Sequence, residues 1–148
     1  MSTLERDEKH LTLELGNEEY GIPVRDVREI VGALPATPIP GSSHAVLGVV
    51  NLRGKVVPVI DLRLRLGLAS IETGPRSCIV VCQGRSGSLV GLLVDSVVEV
   101  VTVRAADVEP PPAVAGHEVS GLAKVRDRVV ILLDVAATVG GDAQLQAA

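Results

Sequence analysis

The stretch Val49-Val50-Asn51-Leu52-Arg53-Gly54-Lys55-Val56-Val57-Pro58-Val59-Ile60-Asp61-Leu62 reads as two apolar strands joined at an Arg-Gly corner. β-Branched residues on both sides favour the pleated, half-buried surface of a sheet. A two-residue corner containing Gly fits a tight hairpin turn. The stretch has an echo later in the chain. KVRDRVVILLDV (124–135) aligns on NLRGKVVPVIDL (51–62) and keeps the Arg, the Val-Val pair and the Asp.

A second pair aligns the same way. GLLVDSVVEVV (91–101) matches GIPVRDVREIV (21–31) at the Gly, three Val and the Glu. The offsets are 70 and 73, and the two segments come in the same order in each half. Chance agreement between Val-rich strands competes with this reading. The shared Gly, Glu, Arg and Asp do not follow from strand propensity, however. The echo therefore indicates two copies of one supersecondary unit. Two copies of some 70 residues, each with about five short strands, predict two small β-barrels. Barrels that small bury too little surface alone, so they are expected to share an interface of aliphatic side chains.

Composition agrees with that core. The 148 residues are 47% hydrophobic and 22% charged, with one Tyr and no Phe or Trp, so the core must be built from Val, Leu, Ile and Ala. A net charge of −4 and the scarcity of aromatics argue against a nucleic-acid surface. No apolar run reaches the roughly 20 residues of a membrane span. The charged start MSTLERDEKH lacks the apolar centre of a signal peptide, so a cytosolic location is expected. Cys78 and Cys82, on one strand, would sit about 13 Å apart, too far for a disulfide. They read as small buried hydrophobes.

Around the hairpin, HLTLELG (10–16) alternates as a half-buried strand. Val24, Val27, Ile30 and Val31 fall at helical spacing and predict a short helix. Ser42 or Ser43 is placed to cap a helical turn, and Asp61 to cap a short helix over LRLRLG. GRSGSLVG (84–91) lies between strands as a hairpin loop, without the Lys or following helix of a phosphate cradle. Residues 110–112 are three prolines that interrupt regular structure.

Catalytic chemistry is not evident. His10, His44 and His117 have no ligand-like spacing and read as solvated or capping residues. Asp61, Asp95 and Asp134 each end an apolar strand, a position suited to turns and helix caps. What remains is surface recognition. Arg53 at a corner presents a planar fork of donors suited to a carboxylate or to backbone carbonyls, or is simply a solvated hairpin charge. Glu29 has the same ambiguity.

The order GNEEYGI, VRDVREI, LGVVNLRGKVVPVIDL, VGLLVDSVVEV, GLAKVRDRVVILLD resembles the CheW family of chemotaxis coupling proteins over about residues 10–137. That resemblance implies an all-β fold of two SH3-like five-stranded β-barrels sharing an aliphatic core, with a few short helices. It implies one domain, 10–137, of two interleaved halves at roughly 10–70 and 75–137, with 1–9 and 140–148 as flexible tails. It implies a non-catalytic adaptor without a cofactor. Its partners would be the regulatory SH3-like domain of a CheA-type histidine kinase and the cytoplasmic signalling tip of chemoreceptors. Such an adaptor is recruited to membrane-associated receptor arrays without inserting into the membrane.

Carried over by position, the resemblance implies partner binding by Val27, Glu29, Ile30, Gly48 (before the strand), Asn51, Arg53 and Gly54. Val24, Val27 and Ile30 would form an apolar stripe toward a receptor helix, or pack in their own barrel. Which residues face receptor and which face kinase stays open. The chain departs from the family where Phe is common, at HLTLELG and SSHAVLG, and in its loop PPPAVAGHEV. A divergent member that binds receptors without engaging the kinase, in a parallel motility pathway, is the alternative.

Overall fold

The computed structural model describes residues 5–84 and 87–140. Two sheets account for the architecture. The elements run β1 (Glu8–Leu15), β2 (Glu18–Pro23), β3 (Val27–Gly32), β4 (Val46–Leu52), β5 (Lys55–Asp61) and α1 (Leu62–Arg65). They continue as β6 (Cys78–Gln83), β7 (Leu89–Val94), β8 (Ser96–Val103), β9 (Val108–Glu109), β10 (Val119–Val125), β11 (Arg128–Leu133) and α2 (Val135–Val139). One sheet orders β3-β6-β7-β5-β4, called barrel I here, and the other β8-β1-β2-β11-β10-β9, called barrel II.

The two barrel-like sheets are built on one plan, and each borrows a hairpin from the other half of the chain. Hairpin β1–β2 opens the first half but lies in barrel II. Hairpin β6–β7 opens the second half but lies in barrel I. In each barrel one parallel contact joins borrowed to native strand, β5 with β7 and β2 with β11. The sequence echo maps onto this exchange, since 21–31 covers β2 and β3 while 91–101 covers β7 and β8. The outer edge of β10 is covered by the two-residue β9, and that of β4 by a bridge from Thr37 to Val49. Covering both edges removes templates for unwanted strand pairing.

Three aliphatic clusters hold this together. Val50, Leu52, Val57, Val59, Ile79 and Val81 fill barrel I. Val101, Val103, Val108, Ala123, Val130 and Leu132 fill barrel II. A larger cluster between them includes Leu11, Leu13, Leu15, Ile22, Ile60, Leu62, Val80 and Leu92. The shared aliphatic core expected from the sequence is this third cluster.

An ion pair also bridges the barrels. Arg63 on α1 donates to Asp95 at the β7–β8 corner, Nε at 2.8 Å and a terminal nitrogen at 2.6 Å. Asp95 also accepts the Gly16 backbone N–H at 2.7 Å. The Arg63 hydrogen bond is the main reason the Asp95 carboxyl titrates below its ordinary range.

The structure corrects several expectations. Residues 24–31 are no helix: Val24–Asp26 is one 3₁₀ turn and Val27 begins β3. A 3–4 spacing of apolar residues also contains inward positions of a strand, and β3 alternates half-buried with exposed along its whole length. Ser42 caps no helix. Its hydroxyl donates to the Ile39 carbonyl at 2.7 Å in a turn. Strand β1 is buried on both faces from His10 to Leu13, with Leu11 and Leu13 in the shared cluster and His10 on the side of Val130 and Leu132 in barrel II.

Asp61 and Asp134 cap α1 and α2 as expected, whereas Asp95 serves the ion pair instead. Residues 7–9 are not a tail. β1 starts at Glu8, and the Asp7 side chain accepts the Ala105 N–H at 2.9 Å. Of the expected tail at 140–148, Gly140 ends α2 with its N–H on the Ala136 carbonyl, and 141–148, like the middle of the 84–91 loop, lie outside the described residues. Cys82 is buried and Cys78 half-buried, and both are free thiols. Burial pushes the Cys82 thiol up to about 12.

His10 is the other correction. It is only 2% exposed, where a solvated or capping histidine was expected. Pairing in the hairpins places His10 opposite Pro23 and Ile79 opposite Leu93, so the two occupy equivalent positions in the two barrels. Burial lowers its pKa to about 4, with Asp26 opposing that shift. In the unfolded chain the imidazole titrates near 6.5. The folded pKa is the lower one, so this contribution to stability is complete above about 6.5 and is lost as pH falls toward 4. Each pH unit inside that window costs up to about 1.4 kcal/mol. Urea melts from pH 7 to pH 4 should show the decline, and His10→Asn should flatten it. An equal slope in the variant would clear His10 of the effect.

Candidate functional site

The NLRG corner is the best-defined feature on the surface of barrel I. Leu52 and Lys55 are the last paired residues, leaving Arg53 and Gly54 as the turn. Both have positive φ, 51° and 88°, as a type I′ turn requires. The Asn51 side-chain oxygen accepts the Gly54 N–H at 2.8 Å and ties the corner from one side. An Arg in this left-handed conformation costs roughly 1 kcal/mol relative to Gly, so the corner gives up some stability for a guanidinium at this place. Arg53 is 72% exposed along its side chain.

Its partner is Glu29 on β3, with which it forms an ion pair. Strands β3 and β4 are the two ends of the sheet order in barrel I, so this pair spans the barrel seam. The second barrel repeats the device. Arg126 has φ of 56°, is with Arg53 the only non-glycine with positive φ among the described residues, and reaches Glu99 of β8 at 2.9 Å. Glu99 and Arg126 stand where the echo puts Glu29 and Arg53. Here the seam is reinforced, because Arg128 bonds both Glu99 and Glu19. Hydrogen bonds from Arg126 and then Arg128 hold the Glu99 carboxyl below its ordinary range. At the place of Arg128, barrel I has Lys55.

The structure brings Glu29, Asn51, Arg53 and Gly54 together and sorts the remaining candidates. Val27 is half-buried and packs with Val24 on the shared cluster. Ile30 points to the opposite face of β3 and is 42% exposed. The expected stripe of Val24, Val27 and Ile30 is therefore split, with only Ile30 facing outward. Gly48 lies within β4 rather than before it, and it is buried at a bulge. Its φ is 144°, and a Cβ there would stand 2.0 Å from the Thr37 carbonyl oxygen. Its part is to let the 33–40 segment run against β4, where Thr37 and Val49 exchange hydrogen bonds of 2.8 and 2.9 Å.

Exposed aliphatic side chains were missed in the sequence reading. Val56 is 67% exposed on β5, and a groove of about 360 Å³ between Ile39, Val49, Val56, Pro58 and Leu89 lies beside the corner. Barrel II matches Ile30 and Val56 with exposed Val100 and Val129. A strand in VVPVIDL signals burial by composition alone, and only the alternation set by the Leu52–Lys55 register shows that Val56 points outward.

Comparison with known proteins gives a consistent result. The family model for the CheW-like domain matches residues 9–142. The chemotaxis protein CheW of Rhizobium meliloti (strain 1021) is 37% identical over 139 residues, covering 86% of this chain and 89% of the relative. The chemotaxis protein CheW of Klebsiella aerogenes is 33% identical over 132 residues, covering 86% and 79%. Among solved structures, the scaffolding protein TtCheW from Thermoanaerobacter tengcongensis superposes with a TM-score of 0.84 at 34% identity, covering 90% of this chain and 92% of that one.

Proposed function

The chain belongs to the CheW-like domain family and is a chemotaxis coupling adaptor, and from that premise we propose that it joins the signalling tip of chemoreceptors to the regulatory domain of a CheA-type histidine kinase. It does so in the cytoplasm, at membrane-associated receptor arrays, as a binding surface without catalytic chemistry of its own. The observation that carries this reading is the corner of barrel I. There an exposed Arg53, held by Glu29 and shaped by Asn51 and Gly54, stands on the same barrel as the exposed side chains of Ile30 and Val56.

Such a surface has the composition of a protein interface. Arg supplies directional donors, exposed aliphatic side chains supply contact area, and the tight turn restricts the backbone before binding. Gly48 contributes by fixing the path of β4 rather than by contact.

The test is reconstitution from purified parts. The chain is expected to bind a soluble fragment of a receptor signalling tip and the kinase separately, and to change the autophosphorylation rate of the kinase when all three are mixed. Binding to the receptor fragment alone would support the receptor-only alternative. Binding to neither would overturn the assignment.

A further inference from the structure

A second cavity, of about 470 Å³, opens at one end of barrel II, and none of the corner residues line it. Its wall comes from the start of β1, the 3₁₀ turn after β2, the end of β6 at Gln83 with the following Gly84, the start of β10 and the first turn of α2. His10 is part of that wall although it is almost completely buried. Its Nδ1 stands 3.2 Å from the Glu8 carbonyl oxygen, an acceptor, so Nδ1 carries the proton and Nε2 presents a lone pair. Nothing among the described residues bonds Nε2. Nor is Nε2 one of the sealed polar atoms of the interior, so its lone pair is reached through the cavity. In barrel I the equivalent position is Ile79, so the fold does not require a polar side chain here.

Three carboxylates share the wall, and one of them, Glu8, is paired with Arg25. Asp134 uses one oxygen to accept the Ala137 N–H at 3.0 Å, and Asp26 has no hydrogen bond or ion pair among the described residues. The Arg25 guanidinium in the wall is thus engaged by Glu8. Burial keeps His10 neutral at pH 7. Among the described residues, the cavity therefore offers two carboxylates, Asp26 and Asp134, without an ion-pair partner, and one imidazole acceptor. Among the described residues, no three His, Cys, Asp or Glu side chains converge as a metal site. The complement is an organic cation with several N–H donors.

We propose that this cavity binds an alkylammonium or guanidinium group, held by Asp26, Asp134 and the Nε2 of His10. The group arrives either on a free amine or on a Lys or Arg side chain of a partner.

The test is an NMR titration of the full, ¹⁵N-labelled chain at pH 7 and low salt. Agmatine supplies both cations on one small molecule, acetyl-Gly-Arg-Gly-amide supplies a side chain, and N-butylurea is the neutral control. Saturable shifts at the His10 imidazole and at the amides of Asp26, Ser120 and Asp134 are expected with a cationic probe. Asp26→Asn and Asp134→Asn should each weaken binding about tenfold, the scale of one charge-assisted hydrogen bond. Asn still caps α2, so the second variant keeps its fold. Saturation by agmatine alone assigns a free amine, and saturation by the peptide assigns a partner side chain. The proposal is overturned if neither probe saturates, if both variants bind as the wild type does, or if the urea gives the same shifts.

Discussion

Gly48→Ala is expected to destabilise the fold by about 4 kcal/mol, lowering the melting temperature by about 10–15 °C. Two costs combine. The new Cβ would stand 2.0 Å from the Thr37 carbonyl oxygen and 2.5 Å from its carbon, so backbone must move. The φ of 144° is also a region that side chains rarely adopt. Relief requires pulling the 33–40 segment off β4 and breaking the two hydrogen bonds between Thr37 and Val49. Gly54→Ala is the internal control. Its φ is also positive, at 88°, but nothing lies within 4 Å of the added carbon. It should cost only about 1 kcal/mol. Thermal and urea melts of the two variants, with amide exchange at Val49, make the comparison. A Gly48→Ala protein within about 1 kcal/mol of wild type would refute the steric account.

This bears on what partner-binding data would mean. Gly48 is buried, so a loss of binding in Gly48→Ala reports the path of β4 and not a missing contact. The same variant tested only for activity would be misread as a contact residue.

How far the sequence could lead depends on the kind of fact in question. The barrel pair was legible because Gly, Glu, Arg and Asp recur in register, and strand propensity does not produce such agreement. The caps at Asp61 and Asp134 were legible because capping is local chemistry. The segment Val24–Val31 was misread because its apolar spacing satisfies both periods, and what decides for a strand is the partner β6, far away in the chain. The exchange of hairpins is non-local in the same way. Without it, Glu29 and Glu99 are two acids in an echo, and their pairing with Arg53 and Arg126 has no signal. His10 was misread because nothing in HLTLELG distinguishes an inward His from a solvated one until both faces of β1 are covered.

Arg53→Glu is expected to lower affinity for the receptor fragment or the kinase by about 100-fold, the loss typical of a central Arg at an interface. It should leave the fold nearly unchanged. The Arg53–Glu29 pair is largely exposed on the Arg side, and such pairs contribute no more than about 1 kcal/mol. A like-charged pair at the seam is a modest penalty, and the left-handed turn serves Glu no worse than Arg. The single variant cannot separate two roles, however, since Arg53 could act by touching a partner or by holding β3 against the corner. The double variant Glu29→Arg with Arg53→Glu separates them. It restores opposite charges across the seam but reverses the charge offered at the corner. If contact is the role, the double variant should melt like wild type and still fail to bind. If it binds again, Arg53 is a positioning residue whose work is closing the barrel, and the contact moves to its neighbours Ile30 and Val56. If Arg53→Glu alone binds as wild type does, the corner leaves the site altogether. Barrel II gives the reference for a seam that does not depend on one pair. There Glu99 is held by both Arg126 and Arg128, so Arg126→Glu should leave the Arg128 contact in place and disturb the seam less.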